Sequence, residues 1–396
     1  MKIYYVVQRY GREIVGGAEA ACRQLAQGMA RKGDVTVLTT CATESTTWAN
    51  SLPPGEEVEN GVRIIRFPTV ATRYPRFERM SDKLFGRADP PRRLQEKWVR
   101  AQGPDAPALI EDIRQRADEP DLWVFYTYLY YPTIFGLPLV ASKAVLHPAL
   151  HDEPPARLPI VRDVLRAAAG LSLQTHEEWE FVVRLAGWPP SKVRLVGMGV
   201  EDGRGDVEKF RSQYGLGSGP YALCLGRVDR GKGTDELAHA FIRFKQTHPG
   251  PLRLVIAGPV IHPPPQHEDV IVPGRLDDDS RWAALEGCDV YINPAPHESF
   301  GIALLEAWTK SKPALVNARS PVTSGHALRA KAGLAYTDYV EFEAALETLM
   351  ADPEAARRLG TNGRTYAEQF SWERVLERYQ SFLEDMADSV SLRNIH

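Results

Sequence analysis

The chain has 396 residues, more than one compact core normally uses, so two domains are expected. With 43% hydrophobic and 25% charged residues the composition is that of a soluble globular protein, and a formal charge of −3 leaves no electrostatic footprint for nucleic acid. Four scattered cysteines (Cys22, Cys41, Cys224, Cys288) have no paired metal-ligand spacing and suit a reducing cytoplasm.

The apolar run Ile3–Val7 is too short for a signal-peptide core or a membrane span and reads as a first strand. A turn with Gly16-Gly17 follows, then a helix from about Ala18 to Arg31. Further strands are read at Val35–Leu38, Val62–Arg66, Leu122–Phe125, Ala144–Leu146, Leu171–Leu173 and Val193–Val196, with helices at Ile160–Ala169 and Glu177–Leu185. Around Glu201 to Gly219 the pattern loosens into glycine and charge, marking the entrance to a second domain. Alternation then restarts, with strands at Tyr221–Leu225, Leu252–Ile256, Asp269–Val272, Asp289–Asn293 and Pro313–Val316. The expected fold class is α/β, with two doubly wound, Rossmann-like domains facing across a cleft and ligands outside the carboxyl ends of the strands. Boundaries are placed at 1–203 and 204–370, with a terminal helix over 371–396. The arginine- and proline-rich segment Thr72–Gln115 breaks the alternation. It reads either as a solvated helical insertion or as a basic rim that contacts an anionic or lipid-linked acceptor.

Three loops carry candidate chemistry. In Leu225-Gly-Arg227-Val-Asp-Arg-Gly-Lys232-Gly233 the glycines let backbone approach an anion at a helix start. Arg227 supplies a planar fork and Lys232 a compact charge; the alternative is an exposed turn with solvated cations. The nucleotide-hydrolase phosphate loop is excluded, because its glycine spacing and Lys-Ser/Thr pair are missing. In Pro294-Ala-Pro-His-Glu298-Ser-Phe-Gly-Ile-Ala-Leu-Leu-Glu306-Ala-Trp, Glu298 falls in a turn before a helix over Phe300–Lys310. A carboxylate there can be a helix-dipole partner or a ligand for a polyhydroxy compound. Glu306 lies beside an apolar run, where an unpaired charge is costly. Gly16 and Gly17 form either a tight βα turn or a loop that admits a diphosphate.

These residues resemble the retaining glycosyltransferases of the GT-B fold, family 4, over nearly the whole length. The resemblance rests on Gly16-Gly17-Ala18-Glu19, on Gly226-Arg227 with Lys232-Gly233, and on the paired-glutamate motif Glu298 to Glu306. Phe370-Ser-Trp372 and the helix after it resemble the family's segment that crosses back to the first domain. It implies a nucleotide-sugar donor held mainly by the second domain and a hydroxyl acceptor held mainly by the first. Arg227 and Lys232 would bind the diphosphate, Glu306 the ribose, and Glu298 would face the donor sugar. Ser299 belongs to the same donor loop, and backbone N–H groups of Phe300, Gly301 and Ile302 would bind sugar or phosphate oxygens. His151, in His147-Pro-Ala-Leu-His151, resembles the family's histidine near the reacting centre, with solvated loop histidine as the alternative and His147 as a competitor. After Pro313–Val316 the family's usual further glutamate has no equivalent in Asn317–His326, which touches contacts to the donor sugar.

The expectation is retention at the anomeric carbon, with no cofactor beyond the donor substrate and no metal, Arg227 and Lys232 stabilising the leaving diphosphate. A sugar-nucleotide epimerase, a phosphorylase-like enzyme with a pyridoxal-phosphate lysine, and a non-catalytic nucleotide-sugar-binding protein are the competing readings. Peripheral membrane contact at the inner face of a membrane fits the basic segment, and the oligomeric state is open.

Overall fold

The computed structural model describes residues 1–14, 16–187 and 193–393. It divides into two compact units, Met1–Gly197 with Val375–His396, and Met198–Arg374.

The first unit is built on strands β1 (Lys2–Val6), β2 (Asp34–Thr40), β3 (Gly55–Glu59), β4 (Val62–Phe67), β5 (Leu122–Tyr126), β6 (Ala144–His147), β7 (Gly170–Leu173) and β8 (Val193–Leu195). Their spatial order is β3-β4-β2-β1-β5-β6-β7-β8, and only the β3–β4 pair is antiparallel. Strands such as Leu-Trp-Val-Phe-Tyr in β5 are buried at every position, as a parallel sheet covered by helices on both faces requires. Tyr4 and Trp123, on neighbouring strands, meet edge-to-face at 5.1 Å between centroids. Helices α1 (Gly17–Ala30), α2 (Phe77–Phe85), α3 (Arg92–Gln102), α4 (Pro107–Gln115), α5 (Tyr131–Gly136), α6 (Pro159–Ala167) and α7 (His176–Ala186) connect and cover the strands.

The second unit starts with α8 (Val207–Gln213) and then alternates through β9 (Tyr221–Leu225), α9 (Thr234–Thr247), β10 (Arg253–Ala257), β11 (Val270–Gly274), α10 (Asp278–Gly287), β12 (Val290–Asn293), α11 (Ile302–Thr309), β13 (Ala314–Asn317), α12 (Pro321–Ala330) and β14 (Gly333–Tyr336). Helices α13 (Tyr339–Ala351) and α14 (Pro353–Ala367) follow, and α15 (Trp372–Arg393) closes the chain. This sheet is wholly parallel, in the order β11-β10-β9-β12-β13-β14. From β9 the chain winds outward to β11, returns to β12 beside β9, and winds outward the other way. The reversal leaves a crevice between the carboxyl ends of β9 and β12, where open α/β sheets bind ligands.

All strands expected from the sequence are present, and β3 and β14 are additional. Gly-Glu-Glu-Val-Glu in β3 is almost wholly exposed, so no apolar pattern marks it. The segment 72–115 is not a solvated insertion. Trp98 is 2% exposed and packs against Phe77 and Phe85, while Leu109 and Ile113 are fully buried in the same core. The arginine count masked an apolar face on each of α2, α3 and α4; Arg76, Arg79, Lys83 and Arg87 do remain exposed.

From Val375 on, α15 belongs to the first unit. Glycines make room for it: a Cβ on Gly28 of α1 would lie 2.3 Å from Leu376, and one on Gly170 of β7 would lie 2.7 Å from Met386. Buried Tyr379 donates its hydroxyl proton to the Tyr5 hydroxyl at 3.0 Å. Replacing Tyr379 by Ala is therefore expected to cost about 3–5 kcal/mol. Tyr379→Phe, which only orphans the Tyr5 hydroxyl, should cost about 1 kcal/mol. Urea unfolding of both variants checks this; equal losses would show that the hydroxyl pair, not the ring, anchors α15.

Candidate functional site

At the end of β9 the backbone of Gly226 donates to Ala257 O (3.0 Å), which fixes the start of the loop against β10. Arg227 then projects outward, 61% exposed, with its Nε 2.9 Å from Asp229 Oδ2. Asp229 also accepts from the Lys232 amide (2.8 Å) through Oδ1, and its carbonyl accepts from Thr234 Oγ1 (3.0 Å). One aspartate thus folds the loop and holds the Arg227 guanidinium. Gly233 completes the turn at φ +70°, and a Cβ there would sit 2.6 Å from the carbonyl oxygen of Pro294 in the neighbouring loop. No other residue type fits this junction without strain.

Across the β9–β12 crevice stands the loop 294–301. Lys232 Nζ reaches Glu298 Oε1 at 2.7 Å, with the two side chains 30% and 18% exposed. Ser299 is half-buried, and Phe300 is buried against His326 and Phe370 at 5.5 Å from each ring. That anchor leaves the backbone of the loop at the crevice. Gly301 sits at φ +79° and caps α11, whose first two amides, at Ile302 and Ala303, have no intrahelical acceptor. An anion or hydroxyl oxygen at this helix start meets oriented N–H groups.

Glu306, one turn into α11, is 5% exposed. Arg281 Nη1, from α10, donates to its Oε1 at 2.6 Å. Burial raises the Glu306 pKa above the ordinary carboxylate value, and the Arg281 guanidinium acts against that rise. The two glutamates of the motif are therefore not a carboxylate pair. Each has its own cation, Lys232 for Glu298 and Arg281 for Glu306. Tyr291 of β12 lies near both, its hydroxyl buried with no hydrogen-bond partner.

In the first unit the order of strands reverses between β1 and β5. Gly16 and Gly17 sit at that reversal and open α1. A Cβ on Gly16 would fall 2.2 Å from Glu19 Oε2, whereas one on Gly17 would meet nothing within 4 Å. A side chain at Gly16 would have to displace the Glu19 carboxylate from Arg9, whereas the space at Gly17 is open. Glu19 is buried and paired with Arg9, whose Nε and Nη2 reach its Oε1 at 2.9 and 2.5 Å; Arg9 Nη1 also donates to Thr43 O at 2.9 Å. Val15 lies outside the described residues.

His151 follows β6 with its side chain 40% exposed and Nε2 3.5 Å from Glu153 Oε1. Its Nδ1 is buried without a partner. The Tyr128 hydroxyl donates to the same Glu153 oxygen. His147 is excluded as its competitor. It lies flat on Tyr126 at 4.5 Å and edge-on to Tyr379, and burial pushes its pKa down to about 3, so it stays neutral inside the core. The loop that carries His151 is fastened by Glu178, whose carboxylate accepts from the amides of Leu150 and Gln174 at 2.6 Å each.

Asp229, Arg281, Arg9 and Glu178 escaped the sequence reading. Asp229, three residues before Lys232, fits an N-cap pattern and was findable. Arg281 and Arg9 act on partners 25 and 10 positions away, with no helical or strand spacing to reveal them. Among the described residues no cluster of three or more His, Cys, Asp or Glu side chains is placed to hold a metal ion, and no helix is long and apolar enough to cross a membrane.

The family model for Glycosyl transferases group 1 matches residues 206–366, and that for a Glycosyl transferase 4-like domain matches 16–199. Both models are of glycosyltransferase domains, and the fold is that of the GT-B glycosyltransferases. D-inositol 3-phosphate glycosyltransferase of Streptomyces bingchenggensis is 29% identical over 279 residues, 62% of this chain and 59% of that protein. The similarity therefore spans about six-tenths of that relative's length. Glycogen synthase of Mycobacterium tuberculosis is 24% identical over 95% of this chain and 92% of its own. Among solved structures, sucrose-phosphate synthase from Thermosynechococcus elongatus superposes with a TM-score of 0.72 at 18% identity, over 98% of this chain and 100% of that one. Anabaena HepE, in complex with UDP and glucose, gives 0.69 at 14% identity, over 97% and 100%. Both likenesses are of fold.

Glu178, in the first unit, makes a pH prediction. Burial pushes its pKa up to about 7 from an ordinary 4.5, against the pull of three backbone N–H bonds. A raised folded-state pKa favours the protonated fold. Its contribution is complete below about pH 4.5 and fades as pH rises through about 7. Glu178→Gln should flatten the fall in unfolding midpoint between pH 5 and pH 8. An unchanged slope would show that another group sets it.

Proposed function

We propose that the protein transfers a sugar from a nucleoside-diphosphate donor to a hydroxyl acceptor, with retention at the anomeric carbon and without a metal. The observation that carries this reading is the Lys232–Glu298 ion pair, which spans the β9–β12 crevice at a helix start. A cation and a carboxylate side by side match a donor with charged phosphates next to a polyhydroxy ring.

In this scheme Arg227 and Lys232 bind the diphosphate, and the first amides of α11, with Phe300 and Gly301, receive sugar or phosphate oxygens. Ser299 flanks them. Glu306 takes the ribose hydroxyls. As the diphosphate reaches Lys232, it displaces Glu298, whose carboxylate then accepts a hydrogen bond from a donor-sugar hydroxyl. The glycosidic bond from C1 to the phosphate oxygen breaks while the acceptor oxygen bonds to C1 from the same face. The acceptor proton passes to the leaving phosphate, whose charge Arg227 and Lys232 stabilise. Glu298 is not a covalent nucleophile here, because its partner glutamate is engaged elsewhere. On the first unit, Gly17 leaves open backbone at the start of α1 for an anionic group, His151 is the acceptor-side residue, and the exposed Arg76, Arg79, Lys83 and Arg87 suit an anionic acceptor or a lipid surface.

A nucleotide-sugar donor is supported by Anabaena HepE, of the same fold, which holds UDP and glucose. The test is a panel of UDP-, GDP-, ADP- and TDP-sugars, read by thermal stabilisation and diphosphate release. One donor should stabilise the protein, and Lys232→Ala should weaken its binding roughly ten- to hundredfold, the equivalent of about 1.5–3 kcal/mol for a charged hydrogen bond. The variant's own unfolding midpoint should stay near that of the parent, because Lys232 is part-exposed. A protein that no donor stabilises, or a variant that binds as the parent does, contradicts the reading.

A further inference from the structure

The environment of Glu306 is unusual for a group that only accepts hydrogen bonds from hydroxyls. Its carboxylate is buried, and one oxygen is already taken by the Arg281 Nη1 at 2.6 Å. Its other oxygen has no hydrogen bond among the described residues. Arg281 is itself held from several sides. Its guanidinium lies 4.4 Å from the Trp282 ring, 3.5 Å from Glu201 and 3.6 Å from Asp278. One cation thus serves three carboxylates, and it makes its shortest contact with the most buried of them. The other groups near Glu306 are Tyr291 of β12, whose phenol burial keeps neutral, and Lys310 one turn on, which is engaged with Asp202 at 2.6 Å. Arg281 is therefore the group that offsets the desolvation of Glu306.

Resting on the donor-site reading above, we propose that Arg281 is a positioning residue for ribose recognition: it holds Glu306 ionised and orients its remaining oxygen toward the vicinal hydroxyls of the donor nucleoside. A planar guanidinium fixes the carboxylate plane as well as its charge. A protonated carboxyl would instead offer a donor where the diol needs an acceptor. Discrimination between ribose and 2′-deoxyribose then depends on an arginine that does not touch the ligand.

The experiment is calorimetric titration of whichever of UDP, GDP or ADP binds, and of its 2′-deoxy counterpart, between pH 6 and pH 8.5. It uses the full chain and the variants Arg281→Met, Arg281→Lys and Glu306→Gln. Without Arg281 the carboxyl of Glu306 titrates at higher pH, so Arg281→Met should bind the ribonucleotide at least tenfold more weakly at pH 6. That loss should shrink by pH 8.5, and the ribose-to-deoxyribose affinity ratio should fall toward one at low pH. Arg281→Lys, which keeps the charge, should restore most of the low-pH affinity. If Arg281→Met has the parent's affinities at every pH, or loses the same factor at every pH without rescue by Lys, Arg281 is only structural and the proposal fails while the donor site stands. If Glu306→Gln binds both nucleotides as the parent does, the ribose role of Glu306 falls, and this proposal with it.

Discussion

The reversal of winding direction within each parallel sheet is the constraint on which the rest depends. A parallel sheet needs a crossover for every strand, so all strands end at one edge, and their following loops gather there. Where winding turns back, two neighbouring strands send their loops apart and leave a crevice. In the second unit that happens between β9 and β12, and Lys232 and Glu298 are the side chains that meet across it. The glycines serve this geometry. Gly233 lets its loop lie against the Pro294 carbonyl, and Gly301 turns the chain into α11 with its amides facing the crevice.

Electrostatics in this unit is organised as separate cation–carboxylate contacts. Lys232–Glu298 is partly solvated, so its net worth is about 0–1 kcal/mol, and a polyanion displaces it at little cost. Arg281–Glu306 is more deeply buried and is expensive to break, because either partner alone would be left in a poor solvent. One contact is suited to exchange and the other to permanence. That division matches a site in which the phosphate-facing groups rearrange on binding and the ribose-facing carboxylate stays fixed.

Much of this was legible in the sequence. Apolar runs such as Tyr221–Leu225 and Leu122–Tyr126 announce buried parallel strands, and the Gly226-to-Gly233 and Glu298-to-Glu306 segments mark their loops. What escaped notice has a physical reason. β3 is exposed almost throughout, its one apolar residue Val58 included, so it forms by pairing with β4 and not by burial. The helices of 72–115 carry their apolar residues one or two per turn among arginines, and composition hides them. His147 and His151 are four positions apart in one sequence stretch, but the strand end places the first in the core and the second in a loop. Arg281 and Arg9 find their carboxylates only once α10 and α1 have packed.

The central claim is that the β9–β12 crevice receives a nucleoside diphosphate at Lys232 and the start of α11. Amide hydrogen exchange, with and without a saturating nucleoside diphosphate, tests it most directly, since it reads backbone groups one loop at a time. The account predicts slowed exchange at residues 226–234 and 298–305, with α13 and α14 unchanged. Protection absent from both loops, or confined to residues outside them, would contradict it.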